Sequence, residues 1–407
     1  MQWLRKILDK VGKDFQHGGK FEKLHAVYDM HDTILFTTDD TTKSGSHVRD
    51  NMDLKRLMVT VVIAMLPAVA MALYNTGYQS NLAIAAGAQA LDAWQEAVFA
   101  ALGLGYDPTS IISNVVHGAI WFIPIFAVTA IAGGLVEVVN AVIRGHEVNE
   151  GFLVTMFLIP LISPATVPLW QIFIATIFGV LVGKEIFGGT GFNIFNPALV
   201  TRAFLFFAYP AEISGDKVWI AADLSKVDGL SGATWLSKAS NAGMSPEGLA
   251  NLDLMDAFIG LVPGSMGETS ALACVIGAVI LIATGIGSWR TMLGVVLGTM
   301  GMAFLLNQVG SETNPFFDVP FHYHMVLGGW ALGTVFMATE PVTSPFTQRG
   351  KMIYGFLIGV MVVLVRVINP AYPEGMMLAI LFMNMFSPFI DYFFIQANIK
   401  RRAARYA

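Results

Sequence analysis

Ten apolar runs dominate this chain, at 57-75, 112-143, 152-164, 167-183, 196-210, 269-286, 289-308, 321-338, 353-369 and 375-395. A run of about 20 residues crosses the ~30 Å hydrocarbon layer as a helix, and a segment crossing lipid must satisfy its backbone internally. The expected fold is an all-α polytopic membrane protein with about ten transmembrane helices. Composition agrees, because 407 residues with 55% hydrophobic and 13% charged content leave too little charge to cover a water-facing exterior. The run at 152-164 is short, contains Pro160 and ends at Pro164, so with 167-183 it can also be read as a broken or re-entrant element.

Lys and Arg near span ends stay on the cytoplasmic side. With ten spans and the N-terminus inside, 20 of the 24 basic residues fall on that side or in the inner half of a span. Lys217, Lys226 and Lys238 fall outside, and Arg366 lies within a span. Both termini are thus expected to be cytoplasmic. The division that follows is a cytoplasmic arm at 1-56, a first membrane half of five helices at 57-210, and a periplasmic loop at 211-268. A second half of five helices at 269-396 and a basic cytoplasmic tail at 397-407 complete it. Within 76-110, LDAWQEAVFAALGL has the pattern of an interfacial helix. Asn196-Pro197-Ala198 and Asn369-Pro370-Ala371 each join two apolar helices but on opposite sides, which suggests two inverted five-helix repeats with a substrate path between them.

Several chemistries are excluded or left unsupported. A single cysteine cannot build a disulfide framework or a thiolate metal centre. A net charge of −5 gives no support to nucleic-acid binding, and MQWLRKILDKVGKDFQ lacks the apolar core of a secretory signal. No phosphate loop is present, and GGTGFN follows a membrane helix rather than a strand. His322 and His324, two apart at a helix start, point to different faces, so no metal site is expected.

The informative motif is Asp228-Gly229-Leu230-Ser231-Gly232-Ala233-Thr234. A hydroxyl flanked by Gly and Ala is sterically open to a bulky phosphorylated group, and an ordinary turn is the alternative. DGLSGATWL resembles the flavinylation sequence of the membrane subunits of the Na+-translocating NADH:quinone oxidoreductase and of the related Rnf complex. Further stretches extend the resemblance over nearly the whole chain: HVRDNMDLKR (47-56), RGHEVNEGF (144-152), KEIFGGTGFNIFNPAL (184-199), RAFLFFAYP (202-210), INPAYPEGMMLAILF (368-382) and NIKRRAARY (398-406). Together they look like the B subunits of the sodium pump.

The resemblance implies FMN carried through a phosphoester on Thr234, with Asp228, Ser231, Gly232 and Ala233 as its recognition sequence, attached by a separate flavin transferase. It also implies a noncovalent riboflavin, which we place at Gly188 to Pro197 with Asn193 and Asn196 at its polar edge. A helix cap is the plain alternative there. Quinone access is implied near Gly133 and Gly134, where close helix packing is the alternative. No acid/base catalytic residue is expected. Electrons would pass from an outer flavin subunit through FMN and riboflavin to ubiquinone, with Na+ moving outward. The implied setting is a bacterial inner membrane and a six-subunit complex, with subunits A, C, D, E and F as partners.

Ionisable groups at membrane depth are candidates by default. Glu137 and Asp391 are read as an ion path, or alternatively as helix-packing ion pairs with Arg366 or Arg144. Glu340 stands where the family often has Asp. Two rival readings stay open: a flavinylated Rnf subunit serving ferredoxin and NAD, and a non-redox channel or solute carrier in which SGAT is a mere loop.

Overall fold

The computed structural model describes residues 2–15, 19–22, 25, 28, 32, 36, 54–144, 151–227, 231–369 and 374–405. Its main helices are α1 (Gln2–Gly12), α2 (Leu54–Ala85), α3 (Trp94–Ala101), α4 (Ile111–Arg144), α5 (Phe152–Leu161), α6 (Leu169–Gly183) and α7 (Pro197–Ala208). They continue with α8 (Trp235–Ala242), α9 (Ala271–Ala283), α10 (Trp289–Val309), α11 (Phe321–Val326), α12 (Gln348–Ile368) and α13 (Met376–Ala403). Among the described residues the only β pairing is an isolated bridge between Gln89 and Asp223.

Among the described residues six helices are long and apolar enough to cross a membrane: α2, α4, α6 with the turn after it, α10, α12 and α13. The other apolar runs are shorter than expected. Helices α5, α7 and α9 have 10, 12 and 13 residues, which is about 15 to 20 Å of rise. Pro160 sits in the last turn of α5, and the chain leaves it through Ser163 and Pro164. The run at 321-338 divides into α11, a turn at Trp330–Leu332 and a π turn at Gly333–Met337. Gly328, at φ 64°, lies at the break, a conformation that favours glycine. Irregular backbone at membrane depth is tolerated where protein covers it, and Trp330 through Ala338 are all buried.

Local sequence explains the helix starts. Asn196, Thr234, Ser270, Ser288 and Thr347 each cap a helix, their side-chain oxygens accepting from the N–H two or three residues on.

Glycines set the closest packing. A Cβ on Gly294 or Gly298 of α10 would lie 2.5 Å from the Met352 carbonyl and 2.1 Å from the Phe356 carbonyl of α12. A Cβ on Gly355 or Gly359 would lie 2.2 Å from the Thr291 and Val295 carbonyls. The two helices therefore run in the same direction with their backbones in contact. Helices α4 and α6 also run the same way, their last turns tied by Glu137 to Lys184 and by Arg144 to Glu185. Helices α2 and α4 are antiparallel, touching at Gly77 and Gly118.

Helix α3 lies against α4 as an amphipathic piece, with Phe99 and Glu96 buried and Trp94 and Val98 exposed. A buried network holds it. His117 bonds Glu96 at 2.9 Å and Asn81 at 2.8 Å, while Trp121 and Tyr106 donate to the same carboxylate. Phe99 stacks on His117 at 4.4 Å. Burial, then the bond to Glu96, pushes the Tyr106 hydroxyl up to about 12.

Candidate functional site

Thr234 is the N-cap of α8. Its extended backbone (φ −65°, ψ 152°) turns Oγ1 toward the Ser237 N–H, which donates to it at 3.2 Å. Ser231 Oγ accepts from the Ala233 N–H at 3.2 Å, forming the turn that leads in. Gly232 is required by space, because a Cβ there would lie 2.3 Å from the Asp216 carbonyl. Asp228 lies outside the described residues. Thr234 is itself buried, at 7% exposure.

The hydroxyl lines a narrow cleft bounded by Trp235, the segment Val262–Ser265, Glu268, Thr269, Gly328 and Glu374. Lys238, one turn into α8, rests over the Trp235 ring at 4.2 Å. Burial, and after it the charge of Glu374, raises the Glu268 carboxyl above its ordinary range, opposed by Arg202 and Arg366. Arg366 spends its guanidinium on backbone carbonyls, donating to His324, Leu327 and Glu374.

A second constellation lies at the ends of α4 and α6. Lys184 Nζ, buried, meets the Glu137 carboxylate and donates to Thr190 Oγ1 at 3.3 Å. Arg144 bonds the Glu185 carbonyl at 2.7 Å. The partner of Glu137 is thus Lys184, not the Arg144 or Arg366 that the sequence suggested. Gly133 is packed hard, since a Cβ would lie 2.0 Å from the Phe152 ring, whereas nothing approaches a Cβ on Gly134 within 4 Å.

The glycine-rich bend after α6 takes left-handed backbone at Gly188, Gly189 and Gly191 (φ 123°, 95° and 93°). Asn196 serves as the cap of α7, its Oδ1 accepting from the Ala198 and Leu199 N–H groups. Its other end is free for chemistry across the fold, and Nδ2 donates to Glu340 at 2.9 Å, with Thr343 donating to the same oxygen. Asn196 and Glu340 line one small cavity with Met58, Thr155, Leu158 and Phe336. Asn193 is buried and bonds within its own loop, to the Phe195 carbonyl at 3.0 Å.

Asp391 stands apart from these groups. It accepts from the Phe346 N–H at 2.6 Å and from the Thr347 N–H and hydroxyl, which fixes the loop entering α12. Glu137 and Asp391 share no partner. Glu374, Lys184 and the His117 network are functional candidates that sequence patterns do not single out. A lone His inside an otherwise apolar run is the available signal for the last of these.

A family model described as the NQR2, RnfD, RnfE family matches residues 41–400. The chain is 56% identical over 402 residues to a protein of Chromohalobacter salexigens named as the B subunit of the Na(+)-translocating NADH-quinone reductase, covering 99% of this chain and 96% of that one. It is 53% identical over 404 residues to the protein of the same name in Stutzerimonas stutzeri, and 52% identical over 405 residues to that of Ectopseudomonas mendocina. Both of these alignments cover 99% of each chain.

Proposed function

Because the chain belongs to the NQR2, RnfD, RnfE family, we propose that it is the B subunit of a Na+-translocating NADH:quinone oxidoreductase. In this reading it is a multi-pass component of a bacterial inner membrane, working with subunits A, C, D, E and F, and Thr234 carries FMN through a phosphoester. The observation that carries the reading is the surroundings of the Thr234 hydroxyl. It ends an SGAT sequence, lines a narrow cleft, and stands at the start of α8.

The residues present fit such a group. The first N–H groups of a helix favour an anion, here the single negative charge of a phosphodiester, and Lys238 adds a positive charge one turn away. Trp235 and Val262 line the same cleft as the Thr234 hydroxyl. A flavin held there supplies a carrier able to pass electrons singly or in pairs. Riboflavin is assigned to the bend carrying Asn193 and Asn196, and quinone to the open side of Gly134.

Ten crossings are the reading favoured by packing direction. Since α10 and α12 run the same way, the chain between them must return across the layer, which makes the broken 321-338 segment a crossing. The same argument applies to 152-164 between α4 and α6. This supports the inverted five-helix halves and two cytoplasmic termini. For ion transit, Glu137 is the better candidate, because Asp391 is fully engaged in holding the 346–347 loop.

The test is a denaturing gel of protein matured with its flavin transferase. Fluorescence should stay with the wild-type band and vanish with Thr234→Ala. A dark wild-type band sinks the assignment. Quinone reduction by the purified complex then separates this reading from the Rnf one.

A further inference from the structure

The face between α12 and α13 is built to hold a lipid. Leu357, Val360 and Met361 of α12 face Phe386, Phe389 and Phe393 of α13 across an open groove of about 930 Å³ lined by apolar side chains alone. The aromatic wall is made of tilted and edge-on ring pairs, with Phe382 and Phe386 rings 5.0 Å apart and Phe389 and Phe393 rings 4.7 Å apart. Along α13 the lining runs from Phe382 to Phe394, about 18 Å at 1.5 Å per residue.

One end of the groove is strongly basic. Helix α12 begins there with Arg349 and Lys351, and antiparallel α13 ends there with Lys400, Arg401, Arg402 and then Arg405. Among the described residues none of these six has a carboxylate partner, and Arg401 donates only to Asn398. Depth matches as well. About 20 residues of α13 counted from Met376 span the ~30 Å hydrocarbon and end near Ile395, which puts Lys400 about 7 Å further, in the headgroup layer.

We propose that this groove binds an anionic phospholipid, its acyl chain lying between α12 and α13 and its phosphate held by Arg349, Lys351 and the Lys400–Arg402 turn. Two features choose this occupant over a helix from a partner subunit. A partner's helix would be followed through the full ~30 Å layer, whereas the groove is close to the ~15 Å depth of a single leaflet. Basic residues at the phosphate level complement a lipid headgroup, and an apolar helix offers them nothing.

The assembled complex, delipidated in detergent, is titrated with phosphatidylglycerol or with phosphatidylcholine while its thermal midpoint is followed. The proposal expects phosphatidylglycerol to raise the midpoint at lower concentration. R401Q/R402Q should weaken that response about fivefold per charge removed and leave the phosphatidylcholine response unchanged. Leu357→Trp, which fills the groove, should remove both responses. Equal effects of the two lipids in the wild type overturn the proposal, whatever the variants do. A photo-crosslinker at Phe386 should capture lipid; capture of a partner protein along the same face overturns it too.

Discussion

Replacing Lys184 by Met would strand the Glu137 carboxylate. The two side chains are each 5% exposed and meet between α4 and α6, so water does not screen them. Lys184 also donates to Thr190 and stands 3.7 Å from Glu185, but Glu185 keeps Arg144, so the loss falls on Glu137. Removing one partner of a buried pair costs about 3–5 kcal/mol, whereas replacing both by apolar or neutral groups is often close to neutral. At about 1.4 kcal/mol per factor of ten, Lys184→Met should lower the folded-to-unfolded ratio by about two to three and a half orders of magnitude. Glu137→Gln combined with Lys184→Met should regain most of that loss. The assay is thermal or denaturant unfolding of purified protein in detergent, run as a double-mutant cycle. A Lys184→Met protein as stable as wild type, or a double variant that loses the sum of the single losses, refutes the reasoning. The double variant also separates two roles of Glu137. If Glu137 serves only packing, the rescued protein should translocate Na+ normally; if it lies on the ion path, stability returns and Na+ dependence does not.

Gly298→Val should prevent α10 from seating on α12, because its Cβ would fall 2.1 Å from a backbone carbonyl. Gly301→Ala, with nothing within 4 Å, should be neutral or stabilise by up to about 1 kcal/mol; unfolding midpoints in detergent decide both. Gly133→Val should destabilise through the Phe152 ring, while Gly134→Val should fold and, if quinone enters beside it, raise KM for quinone without lowering the midpoint. His117→Ala should release α3, read as faster hydrogen exchange across Trp94–Ala101, since it leaves Glu96 with Tyr106 and Trp121 alone. Glu268 has its carboxyl raised above its ordinary 4.5 by burial and by Glu374, so its contribution to stability is present below 4.5 and is lost as pH rises through the raised value. Glu268→Gln should therefore flatten the fall in melting temperature with rising pH; parallel curves refute this.

Much of the architecture was legible because lipid imposes a simple rule on length and polarity. The runs for α2, α4, α10, α12 and α13 could be read directly, and a helix cap at Asn196 was one of the two readings open there. Where the rule is suspended, sequence failed. The 321-338 run is as apolar as its neighbours, yet Gly328 and the π turn break it, and only the protein packed around it makes that acceptable. Hydropathy cannot register such cover. The motif around Thr234 was visible as a sequence, but the cleft beside it is assembled from residues 262–269, 326–328 and 374, which no local pattern joins. Asn196 illustrates a different limit. The cap and the cavity reading had looked like alternatives, and one amide does both, with its oxygen on α7 and its nitrogen on Glu340.

The glycine contact between α10 and α12 has a mechanical consequence. Helices separated by side chains can slide by exchanging rotamers, but two main chains that touch at Gly294, Gly298, Gly355 and Gly359 have no such cushion. Shifting one past the other means first lifting it by the thickness of a residue. The pair is therefore a stiff beam, and any displacement during turnover falls on the parts joined more loosely, the interrupted stretches after α5 and after α11.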